Sequence, residues 1–161
     1  SWAFRISFMT TPYKIEVKQQ INAPISKVFG ILNDLEQFEH WNPFLAMDPA
    51  TKYEISNPAG GEGATYTYES KKLGKGSMLF TGVYDNSVIM VDMNFMAPSP
   101  ETAKVEWRVT RSGEGTEMSW IMTGERKFFM ALMVKVMRMD QMMTKHFTDG
   151  LAKLKEYAEK A

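Results

Sequence analysis

The stretch Thr102–Gly124, TAKVEWRVTRSGEGTEMSWIMTG, decides the fold. Ala103, Val105, Trp107 and Val109 alternate with Lys104, Glu106 and Arg108. After Ser112-Gly113-Glu114-Gly115, Met118, Trp120 and Met122 alternate with Glu117, Ser119 and Thr123. Such period-two alternation marks strands with one buried and one wet face. The glycines between them read as a tight turn, so the stretch is a β-hairpin.

The same period runs upstream. Val88–Met96 sets Ile89, Val91, Met93 and Phe95 against Asp92 and Asn94. Ser77–Tyr84 places Met78, Phe80 and Tyr84 together, and Ala64–Ser70 places Tyr66 beside Tyr68. Lys52–Ser56 is a short strand, and Lys14–Ile21 is a half-buried one carrying Ile15, Val17, Gln19 and Ile21 on one face. Turn signals at 57–61, 73–76, 85–86 and 98–100 separate these runs. The result is about seven strands, six of them consecutive, as in an antiparallel sheet with one covered face. Between the first strand and the rest, Pro24 opens a helix to about Asn33, and a second runs over Leu35–His40. Pro43 biases Asn42 to an extended conformation and stops that helix.

Downstream, residues 128–159 contain no proline and one glycine. Met133, Met137, Asp140, Thr144, Phe147, Leu151, Leu154 and Ala158 recur at spacings of three and four. That predicts one continuous helix whose apolar stripe covers the sheet. Lys135, Arg138 and Lys145 fall opposite, on a solvated face. The expected architecture is α+β: a curved antiparallel sheet wrapped around a long C-terminal helix, with two short helices after strand 1. A gap between helix and sheet has the concave, largely apolar character that small-ligand sites favour.

Composition narrows the function. The 161 residues fit one domain, expected over residues 13–161. Residues 1–12 read as a tag remnant or the stub of an N-terminal segment, being apolar-rich around Arg5 but too short to span a bilayer. With 19 Lys+Arg against 19 Asp+Glu, the zero net charge argues against a nucleic-acid partner. There is no cysteine. The two histidines, His40 and His146, lack paired ligand spacing, so no metal is expected. Gly61-x-Gly63 and Gly113-x-Gly115 lack the third glycine of a dinucleotide loop, and neither a P-loop nor a nucleophile elbow is present, so no cofactor is expected. Fourteen methionines form the one unusual count, and methionine suits adaptable apolar linings.

The order of elements, with Ala23-Pro24-Ile25-Ser26-Lys27-Val28-Phe29 after strand 1 and Trp41-Asn42-Pro43 after the second helix, resembles the helix-grip superfamily. That superfamily includes START lipid-transfer domains, the birch-pollen allergen family and polyketide cyclases. Gly61–Tyr68 and Met139-Asp140-Gln141-Met142 resemble segments of its bacterial polyketide cyclase/dehydrase-like group. The resemblance implies binding of a hydrophobic small molecule (a lipid, a quinone or a polyketide-like ring) in the central cavity, and in some members cyclase or hydrolase chemistry. It also implies that an N-terminal hydrophobic anchor can precede such a chain. On this reading the chain as given is cytoplasmic, a monomer or homodimer, and reaches a membrane only through such an anchor.

Three functions follow. The first is a carrier whose ligand touches Trp41, Phe44, Tyr66, Tyr68, Met78 and Phe80, together with Met93, Phe95, Trp107, Trp120, Met122, Met133 and Met137. The second is a cyclase or dehydratase using Asp140 as acid/base, because a carboxylate on an apolar stripe is costly unless paired or protonated. Tyr66 or Tyr68 would then polarise a carbonyl. The third is an interaction module with a filled interior. Each residue also has a plainer role: Asp140 as a structural carboxylate, the tyrosines and tryptophans as caps of backbone groups, Trp41 and Phe44 as plugs, and the methionines as core.

Overall fold

The structure, a computed structural model, describes residues 9–98 and 100–160, without the side chains of 128, 129 and 136. The expectations for residues 1–8 lie outside the described residues. β1 (Thr10–Ile21) is followed by α1 (Ile25–Leu32), a 3₁₀ helix (Leu35–His40) and α2 (Pro43–Met47). The strands β2 (Lys52–Ile55), β3 (Thr65–Ser70), β4 (Gly74–Tyr84), β5 (Val88–Ala97), β6 (Glu101–Ser112) and β7 (Gly115–Lys127) come next. Two helices, α3 (Phe128–Met137) and α4 (Met139–Ala158), close the chain.

The strands form one antiparallel sheet in the order β1-β7-β6-β5-β4-β3-β2. In the deciding hairpin Val105 pairs with Met122 and Trp107 with Trp120, so both apolar rows share a face. Phe147, Leu151, Leu154 and Ala158 of α4 are buried with that face, while α1 contributes Val28, Phe29 and Leu32. This is the helix-grip arrangement. Gly150 lets α4 approach closely: a Cβ there would meet Pro43 Cδ at 2.9 Å and Trp120 Cζ3 at 3.2 Å.

Three expectations need correction. The strand β4 does not keep one face throughout, because its register against β5 shifts between Phe80 and Gly82. This β-bulge turns Val83 inward opposite Ile89 and leaves Tyr84 60% exposed, away from Met78 and Phe80. Pro43 stops the 3₁₀ helix but also starts α2: Asn42 is its extended N-cap, and its Oδ1 accepts from the Phe44 N–H at 3.0 Å.

The C-terminal helix is also not continuous. Arg138 takes a left-handed conformation (φ 54°, ψ 38°) and divides it into α3 and α4. A left-handed residue reorients the helix axis, so periodicity counted across it does not describe one face. On α3 it is Val134 that is buried, while Met133 and Met137 are exposed at 54% and 58%. On α4 the buried stripe begins only at Phe147, since Thr144 in the turn before it is exposed.

Candidate functional site

A cavity of ≈ 200 Å³ lies between the sheet, the α2 region and α4. An engineered apolar cavity of about 150 Å³ accepts benzene, so this one has room for a compact one- or two-ring molecule. Its sheet wall carries Tyr66, Tyr68, Met78, Met93, Phe95, Val105, Trp120 and Met122. Phe44 and Leu45 of α2, Phe38 of the 3₁₀ helix, and Met143 and Phe147 of α4 close it. Asn42, Thr51 and Leu73 complete the lining. Trp120 and Phe147 stack at 4.2 Å and 9°, forming a flat aromatic wall where sheet and helix meet.

The polar groups of this lining are few and neutral. The buried Asn42 donates from Nδ2 to Tyr66 Oη at 3.4 Å, so the tyrosine oxygen already accepts and its own O–H is left to donate. Tyr68 has room because it pairs with Gly76, where a Cβ would sit 2.7 Å from the phenol oxygen. Burial raises the pKa of both phenols. They are therefore neutral donors at physiological pH, suited to a carbonyl or hydroxyl oxygen. Among the described residues, no carboxylate, histidine, lysine or arginine lines the cavity.

The expected site residues separate by place. Phe44, Tyr66, Tyr68, Met78, Met93, Phe95, Trp120 and Met122 come together around the cavity. Trp41, Phe80 and Trp107 are fully buried behind it in an aromatic core, with Trp41 and Trp107 centroids 4.9 Å apart. Met133 and Met137 stand outside, for the reason given above. The expectation for Trp107 and Trp120 is a donor that orients a ligand oxygen or caps a backbone group, and for Trp41 a gate or a plug. The indole N–H groups of Trp41, Trp107 and Trp120 are buried without an acceptor among the described residues. Their rings sit at steep angles to one another, 63° and 86° for neighbouring pairs, an arrangement aromatic quadrupoles favour.

Asp140 is neither unpaired nor in the lining. It lies in the first turn of α4, where a carboxylate suits the helix dipole, and accepts two bonds from Arg126, at 2.7 and 3.0 Å. The same guanidinium covers the Tyr13 ring at 3.7 Å. Asp140 thus ties the start of α4 to the end of β7.

Phe38, Leu45 and Thr51 were missed because their segments carry no long periodic signal, and Leu73 because it reads as turn. Met143 lies off the helical stripe as counted. A further anchor beside the cavity also carried no sequence signal. Buried Asp48 accepts from Ser70 Oγ at 2.5 Å, and Ser70 Oγ accepts from the Leu73 N–H at 3.0 Å. The hydrogen bond from Ser70 depresses the Asp48 pKa.

Comparison with known proteins agrees with the fold. No curated protein matches the chain in sequence. Norcoclaurine synthase from Thalictrum flavum, solved with dopamine and hydroxybenzaldehyde, is similar in fold, with TM-score 0.71 at 12% identity over 94% of this chain and 90% of its own. An uncharacterised Rhizobium leguminosarum protein gives 0.68 at 14% identity over 94% and 97%. The Aha1 dimer from Colwellia psychrerythraea gives 0.62 at 17% identity over 91% and 96%. At these identities the likeness is one of fold. Residues 12–159 match the sequence pattern of polyketide cyclase / dehydrase and lipid transport proteins, and the chain belongs to that family.

Proposed function

We propose that residues 13–161 act as one ligand-binding domain that carries a neutral, hydrophobic small molecule in this cavity. The observation that carries the reading is the lining itself: thioethers, aromatic rings and aliphatic groups, with hydroxyl and amide groups and, among the described residues, no ionisable acid or base near neutrality. Apolar area removed from water supplies affinity, about 25 cal/mol per Å² before the costs of association. The phenols of Tyr66 and Tyr68 then orient an oxygen of the ligand. A ligand charge buried here would find no counter-ion and would be excluded.

The family also admits cyclase chemistry. General acid/base catalysis needs a group within about 3 Å of the proton it moves. The carboxylate best placed in sequence for that, Asp140, is held by Arg126 outside the lining. Carriage is therefore the reading the site favours. Mass spectrometry of a solvent extract, from protein purified without detergent, tests it. A near-stoichiometric neutral apolar compound is expected, absent from a Met78→Trp variant whose cavity is filled. An empty extract, with no apolar compound of a broad panel binding afterwards, would sink the proposal.

A further inference from the structure

Nine large apolar side chains are exposed among the described residues, and seven of them gather at one end of the molecule. The strand register defines that end. Thr10 pairs with Lys127, Lys75 with Ala97, and Phe95 with Glu101, so the start of β1, the β3–β4 and β5–β6 turns and the end of β7 lie along one edge. The helix α3 leaves β7 directly from there. Met9 and Met96 lie on this edge. Leu132, Met133 and Met137 on α3, with Met139 and Met142 on α4, extend it. Monomeric proteins seldom leave so many large apolar groups together in water.

The same end is cationic. Lys71, Lys72, Lys75, Lys127, Lys135 and Arg138 are all exposed, and none has a carboxylate within 4.0 Å among the described residues. The carboxylates there are fewer: Glu69, Glu101 and Glu125, with Asp140 engaged by Arg126 and Asp48 buried. The cavity also reaches this end, since half-buried Leu73, Phe95 and Met143 belong to its wall.

We propose that this end docks on an anionic lipid surface: α3 and the start of α4 place their Met and Leu side chains at the headgroup–acyl boundary, the surrounding Lys and Arg contact anionic headgroups, and the cavity faces the bilayer. Exposed apolar groups flanked by cations are the two components that hold an interfacial helix. A second copy of the chain fits less well, because a two-fold contact would bring the cationic end against itself. Docking stands on these surface residues alone. It deepens the carrier reading only by naming the bilayer as the ligand's source.

The test is flotation with vesicles and no added ligand, comparing phosphatidylcholine alone with phosphatidylcholine mixed with phosphatidylglycerol. Wild-type protein is expected to float with the anionic vesicles at low salt and to release as salt rises. Lys135→Gln should weaken binding about fivefold. Leu132→Glu combined with Met137→Glu should abolish it while leaving Tm unchanged, both sites being exposed. No flotation by the wild type, flotation equal on both vesicle types, or undiminished flotation of the double variant would each overturn the proposal. So would a soluble dimer that the double variant dissolves, since a second copy would then cover this face. Because the readout needs no ligand, its failure leaves the cavity experiment above undisturbed.

Discussion

Tyr66 meets the interior with its oxygen already accepting from Asn42, so what it offers a ligand is a proton. Tyr66→Phe should therefore cost a ligand bearing a carbonyl or hydroxyl about 0.5–1.5 kcal/mol, up to about tenfold in Kd. A pure hydrocarbon of the same size should bind unchanged. Titration calorimetry of such a pair checks both outcomes. Asp48 illustrates a residue whose work is structural. Its carboxyl is held below the ordinary range by Ser70, so the interaction contributes stability above about pH 4 and loses it as pH falls through the depressed value. In Asp48→Asn, acid unfolding should show a shallower loss below about pH 4 than in the wild type. Asp140 also has a structural role, as the anchor of α4 on Arg126. Its pair with Arg126 is partly exposed, so Asp140→Asn should cost no more than about 1 kcal/mol in a denaturant melt and leave ligand affinity unaltered. A loss of ligand binding without loss of stability would restore Asp140 as a site residue.

At the scale of elements, α4 is set by the fit of Gly150 against Pro43 and Trp120. Alanine at a helical glycine gains about 1 kcal/mol in propensity. Here the added Cβ would press on a proline ring and an indole that are both packed, and overpacking costs about 1–3 kcal/mol. The clash should win. Gly150→Ala is expected to lower Tm by a few degrees, and a rise in Tm would show that α4 is free to slide. Elements also mark what could be read in advance. Strands β3 and β5–β7 were legible from alternation alone, because a covered sheet face imposes period two on every strand crossing it. The bulge in β4 was not, since a single extra residue at Thr81 is set by pairing with β5. The break at Arg138 was equally silent, because arginine has no preference for left-handed backbone and the apolar spacing continues across it. Without that break visible, Met133 and Met137 counted as lining.

For the whole molecule, fold and family were within reach of the sequence, because element order and the Trp41-Asn42-Pro43 and Gly61–Tyr68 segments are properties of the chain. The cavity wall contributed by the sheet was largely legible too. Its closing side was not: Phe38, Leu45, Thr51 and Met143 converge only through the packing of α2 and α4. The same packing places Trp41 and Trp107 in the core instead of in the cavity lining. The buried phenols add a global pH signature. The unfolded chain ionises its tyrosines near pH 10, whereas native Tyr66 and Tyr68 hold their protons to higher pH. Stability should therefore fall as pH rises past about 10, and less steeply in the Tyr66→Phe variant.

The most direct test of the central claim is a thermal-shift comparison of compact neutral apolar compounds with carboxylates of the same skeleton. A ligand that binds only the folded state at a hundred times its Kd adds about 2.7 kcal/mol, or roughly 5–10 °C for a domain of this size. Shifts of that order are expected for neutral ring compounds carrying one oxygen, and none for their carboxylate counterparts. Equal shifts for both, or no shift with any neutral compound, would contradict that claim.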